Sequence, residues 1–141
     1  MANALFRKYR ENIIGVGTHC DFDTDTIKAM FVDHADDTPV AATDQFISDI
    51  LSAARVPAIA TCPTLGSKTI GTLGAGVADA ADTVFTALTG DQSESLILFK
   101  DTGTEGTSDL IAFWDTATGL PLTPNSADVT VQWNGSGIFQ I

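Results

Sequence analysis

At 141 residues the chain is long enough to bury a substantial core without disulfides or metals, so its folding requires no cofactor and none is expected. Eighteen acidic residues against seven basic ones give a net charge of −11, a balance that repels phosphate backbones and excludes nucleic-acid binding by the body of the protein. No apolar run reaches the roughly 20 residues of a membrane span, and the charge of Met1–Arg10 follows its short apolar stretch, the reverse of a secretory signal, so a soluble protein that meets no membrane is expected.

The charge is unevenly placed. Arg7, Lys8 and Arg10 supply three of the seven cations before the first acid, Glu11, leaving four cations against eighteen acids in the rest of the chain. Around them Leu5, Phe6, Tyr9 and Ile13 stand three, four and seven residues apart, the spacing of one apolar helix face, and Gly15 and Gly17 end the pattern. Residues 1–14 therefore read as a basic amphipathic segment, with one short helix from Asn3 to Ile14 that has two possible destinations. It plugs the end of its own β core, or it docks on a partner. The second makes Leu5, Phe6, Arg7, Lys8, Tyr9, Arg10 and Ile13 the candidate partner-binding residues, and predicts that removing residues 1–14 leaves a folded body.

Asp21–Thr26 and His34–Pro39 are acidic turns on either side of Ile27–Asp33, which is rich in strand formers. From Thr43 to Ala54 the positions Phe46, Ile47, Ile50 and Leu51 have helical spacing, with Thr43 or Asp44 able to cap the start, and a short helix is predicted. Pro57 and Pro63 bracket Ala58–Cys62 as an edge strand. The glycine-rich Leu65–Ala81 holds a weak strand at Thr69–Leu73 among turns and bulges, and Asp82–Leu88 is a further strand.

Leu96–Phe99 and Leu110–Trp114 are apolar at nearly every position, the mark of strands covered on both faces, and Asp101–Asp109 between them offers turn residues and nothing to bury. They are predicted to pair at the centre of the fold. After the proline-bracketed loop Thr116–Asn125, Asp128–Trp133 alternates with period two, Asn134–Gly137 is a turn, and Ile138–Ile141 closes the chain, so Asn134-Gly135 reads as a hairpin turn. With no repeat and no linker, residues 1–141 are expected to form a single, mainly β domain. Its predicted architecture is one β-sandwich or barrel of about seven or eight short strands, with one or two short helices.

Residue chemistry points to no enzyme. Asp21, Asp23 and Asp25 have the spacing that opens a calcium loop, but Thr26 stands where the loop needs glycine and Val32 where it needs a bidentate glutamate. His19, Cys20, His34 and Cys62 match no zinc spacing, and the two cysteines read as separate thiols or as one bridge. No Gly-x-Ser-x-Gly elbow occurs, and Gly71–Gly76 lacks the lysine of a phosphate loop. No catalytic, cofactor-binding or metal residue is therefore assigned. Trp114 and Trp133 could stack a sugar, or could pack in the core.

The order of the pieces resembles a family of small virion proteins of tailed bacteriophages. The likeness is carried by Met1–Ala4 with its amphipathic opening, Asp25–Asp33, Phe46–Ile50, Thr89–Gln92 before an apolar strand, Lys100–Gly103, Leu110–Phe113, Thr118–Pro121 and Val129–Trp133. It covers nearly the whole chain and rests on order and spacing. The resemblance implies a structural protein, not an enzyme, made in the host cytoplasm and residing on the capsid surface of the virion. It would decorate or cement the shell, with the major capsid protein as partner and a homo-oligomer, a trimer for preference, as its working form. The alternative is a tail-associated carbohydrate- or receptor-binding module built on Trp114, Trp133 and the Asp101–Asp109 loop.

Overall fold

The computed structural model describes residues 3–15 and 20–141. The two long apolar runs form the frame. Strand β7 (Ser95–Lys100) pairs antiparallel with β8 (Leu110–Trp114), Ile97 opposite Phe113 and Leu96 opposite Trp114, with a register shift between Leu98 and Phe99. On its other side β7 pairs along its whole length with β2 (Ile27–Val32), and this triplet is extended by two two-residue strands, β1 (Ala4–Leu5) on β8 and β3 (Arg55–Val56) on β2. The order is β1-β8-β7-β2-β3.

Two smaller sheets stand apart from this one: β4 (Thr69–Ile70), β5 (Val77–Asp79) and β10 (Phe139–Gln140) in the order β10-β5-β4, and β6 (Thr83–Phe85) with β9 (Val129–Val131). Among the described residues the fold is thus a mixed one, three separate open sheets and one α-helix, α1 (Arg7–Ile14). The expected closed sandwich or barrel does not form. Only β2, β7 and β8 are long enough to carry a continuous apolar face; the other strands run for two or three residues, too short to build a second full layer or to close an edge.

Cross-strand partners share a face, so Phe31, Leu96, Leu98, Ala112 and Trp114 point to one side of the main sheet and Met30, Ile97 and Phe113 to the other. The first side meets the two-stranded sheet, with the Phe31 and Phe85 ring centroids 4.7 Å apart. On the second, Phe113 meets Phe6 edge-on at 6.3 Å and stacks with His34 at 6.4 Å. A third aromatic group, Tyr9, Phe22 and Phe139, joins α1 to β10, with ring centroids 6.3 and 5.4 Å from Phe139.

Three further expectations are corrected by local hydrogen bonding. The segment Thr43–Ala54 is two single turns, Ile47–Asp49 and Ser52–Ala54, instead of a helix. The Asp49 carboxylate accepts the Gln45 and Phe46 amides, Asp44 that of Val40 and Asp37 that of Leu51, and such side-chain captures compete with helical bonding. Ala58–Cys62 holds a turn, Ile59–Thr61, and not an edge strand. Asn134-Gly135 does connect two strands, but β9 pairs with β6 and β10 with β5, so no hairpin forms. The chain is pulled away because Ile138 N–H bonds the Ala78 carbonyl at 2.8 Å and Gly137 lies against Val77, where any Cβ would collide.

Candidate functional site

The N-terminal helix was the sequence's first candidate, and its two faces separate cleanly. Phe6 is 0 % and Tyr9 3 % exposed, both in the chain's own core, and Leu5 and Ile13 pack half-buried beside them. Their burial leaves Arg7, Lys8 and Arg10 pointing outward. No side chain caps the helix; the Phe6 and Arg7 amides bond the carbonyls of Ile111 (3.0 Å) and Ala41 (2.8 Å), tying its first turn to the body. Of the seven predicted contact residues, then, the apolar ones are engaged internally. The outer face is basic, with Glu11 paired to Arg7 at 2.6 Å and to Lys8 at 3.1 Å and held below the usual carboxylate range by both. Gly17, the second predicted helix stop, lies outside the described residues.

A cleft of about 490 Å³ opens where β3, the Ile59–Thr61 turn and the loop after β7 meet. Lys28 Nζ reaches Asp101 Oδ2 at 2.7 Å and the Ile59 carbonyl at 3.3 Å. That ion pair, with the Gly103 amide on the other carboxylate oxygen at 2.9 Å, holds the Asp101 carboxyl below its ordinary value. Across the cleft the Arg55 side chain, 6 % exposed, donates to the carbonyls of Ile47 and Ile50 and to Glu105, at 2.6–3.0 Å. Thr102, Thr104, Thr107 and Ser108 bond one another around a turn at Glu105–Thr107. The loop Asp101–Asp109, expected to be merely exposed, is thus clamped at both ends. Each lining cation has its carboxylate, and the Ser108 hydroxyl donates to the Thr104 carbonyl.

A hollow of about 430 Å³ lies on the opposite side, between the main sheet and the loop before β9, and its lining, including Phe31, Leu96, Leu120 and Val131, is wholly uncharged. Trp114 and Trp133 stand together, half-buried, with ring centroids 5.7 Å apart and planes at 51°. The Trp133 indole N–H donates to Thr83 Oγ1 at 3.1 Å, which fixes that ring.

Acidic groups gather in two places. Asp21 and Asp23 hydrogen-bond to each other, which holds the first carboxyl below and the second above the usual value, while Asp25 turns away to Lys100 Nζ at 2.7 Å and to the Asp21 amide at 2.8 Å. They do not converge on a common point. Asp33, Asp36 and Asp91 do: their carboxylate oxygens lie within 4.8 Å of one another, the one such group among the described residues. Asp33 is 6 % exposed and its Oδ1 already accepts the Ala35 amide at 2.7 Å. In the sequence reading Asp33 closes the strand segment Ile27–Asp33 and Asp36 lies in the turn after it, and only the fold brings Asp91 from a distant turn to join them.

Cys20 and Cys62 are free thiols, each pushed up to about 12 chiefly by burial. His34 shares a hydrogen bond of 2.9 Å with the buried Ser95 hydroxyl, and His19 lies outside the described residues. No protein-family model matches the chain, and no curated protein matches it either.

Proposed function

We propose that the protein is a structural component of a tailed-phage virion that decorates the capsid, with the major capsid protein as its partner and a homo-oligomer, a trimer for preference, as its working form. The order of sequence pieces described above motivates this reading. The observation that carries it physically is the rigid basic face of α1 on an otherwise acidic body: Phe6 and Tyr9 lock the helix down, so Arg7, Lys8 and Arg10 are presented in fixed positions and not on a loose tail. Pre-ordered charge costs little entropy on docking and steers approach to an acidic surface, and matching a lattice symmetry lets several modest contacts act together. No membrane contact enters the reading; no helix of the described residues is long and apolar enough to cross one.

Reversing the three charges together (Arg7→Glu, Lys8→Glu, Arg10→Glu) tests the docking face without touching the core. The variant loses the exposed pairs of Arg7 and Lys8 with Glu11, so a small fall in melting temperature with a still cooperative transition is expected, together with loss of co-sedimentation with capsids that lack the protein. Wild-type co-sedimentation by the reversed variant would remove α1 from the contact. A second reading, a tail-associated carbohydrate- or receptor-binding module, is favoured by the closeness of Trp114 and Trp133; oligosaccharide-induced changes in tryptophan fluorescence would select it.

A further inference from the structure

Asn134 and Gly135 lie in an exposed turn that links strands of two different sheets. The Asn134 carboxamide oxygen accepts the Ser136 amide at 2.9 Å, and its backbone carbonyl accepts the Gly137 amide at 2.8 Å. Among the described residues the Gly135 N–H meets no acceptor, and a Cβ built on Gly135 would find no atom within 4 Å. A free backbone nitrogen thus stands beside an exposed, oriented carboxamide with nothing in the way.

We infer that Asn134 is a site of spontaneous modification, in which Gly135 closes on the Asn134 side chain to form a succinimide. The Gly135 amide gives its proton to solvent base and its nitrogen bonds to Asn134 Cγ. Negative charge then gathers on Oδ1, where the Ser136 N–H already donates, in the manner of an oxyanion hole. The Cγ–Nδ2 bond breaks, Nδ2 takes up a proton and leaves as ammonia, and water opens the ring at either carbonyl to give aspartate or isoaspartate. Water is the only co-reactant.

The other asparagines provide internal controls. Asn125 makes the same type of bond, to the Ala127 amide at 3.1 Å, but is followed by Ser126, whose side chain obstructs closure. Asn3 has its carboxamide nitrogen bonded to the Thr116 carbonyl at 2.9 Å and its oxygen to two amides, so its leaving group is held. Asn12 is fixed within α1 and followed by Ile13. The consequence falls on β10. Isoaspartate adds a main-chain atom at residue 134, in the turn that leads into Gly137 and Ile138, the residues seated against Val77 and Ala78, and so loosens the strand that brings Phe139 to Tyr9 and Phe22.

The test is to incubate the folded protein in mildly alkaline buffer and follow each asparagine by peptide mass spectrometry with fragmentation. The mass shift of an NH2-to-OH exchange should accumulate at Asn134 as mixed aspartate and isoaspartate, about tenfold faster than at Asn125, and Gly135→Ala should slow it by about tenfold. The site has room for that methyl group, so the variant is expected to fold. An unmodified Asn134, a faster Asn125, or an unchanged rate in Gly135→Ala would each overturn the inference.

Discussion

Replacing Phe113 by alanine is expected to cost about 3–5 kcal/mol, a large part of the roughly 5–15 kcal/mol by which domains of this kind are stable. Phe113 is fully buried in β8, opposite Ile97 in the central strand, and its ring meets both Phe6 and His34. Truncation there removes packing from three directions: the sheet, the segment leading into α1, and the turn after β2. The surrounding strands are held by ladder bonds and cannot collapse into the void, which puts the cost in the upper range of such substitutions. Denaturant unfolding measures it directly as a fall in the midpoint. A Phe113→Ala protein with the wild-type midpoint would show that β8 does not lie at the centre.

Deleting the chain through Ile14 is expected to abolish cooperative folding, against the sequence-based expectation of a detachable segment. The deletion removes Phe6 and Tyr9 from the core, β1 from the edge of β8, and the bonds to Ile111 and Ala41. Loss of two buried aromatic side chains, at about 3–5 kcal/mol for each, is enough to exhaust the stability of an ordinary domain. Circular dichroism and thermal melting of the truncated protein decide the matter. A soluble product with native near-ultraviolet signal and a sharp transition would mean that α1 is an appendage after all.

What was legible in the sequence follows from where the decisive interactions lie. β7 and β8 could be read because their signal is local: unbroken apolar runs flanking a polar turn, which the sheet then buries on both faces. The helical spacing of Phe46, Ile47, Ile50 and Leu51 was real but lost to Asp37, Asp44 and Asp49, whose carboxylates take the amides a helix would need. The Asn-Gly turn was also real, yet partner choice beyond it was set by Val77 and Ala78, more than fifty residues away, and no local pattern carries that. Closure into a barrel was inferred from strand number alone, whereas strand length decided against it.

The same division runs through the candidate sites. The alternation that defined α1 correctly separated Phe6 and Tyr9 from Arg7, Lys8 and Arg10, but periodicity cannot say whether an apolar face meets its own core or another protein. Arg55 gave one faint signal, a lone cation between Ala54 and Val56, since a buried guanidinium must find carbonyls or carboxylates to occupy its donors. The Asp33, Asp36 and Asp91 group had none, because the third member arrives only through the pairing of β2 with β7.

The most direct test of the virion reading is to image purified phage particles by cryo-electron microscopy, with mass spectrometry of the same preparation to confirm the chain. The account predicts ordered density of this fold at repeated positions on the capsid surface, with Arg7, Lys8 and Arg10 of α1 against the major capsid protein. Particles in which the protein is absent, or confined to the tail with Trp114 and Trp133 outermost, would contradict it.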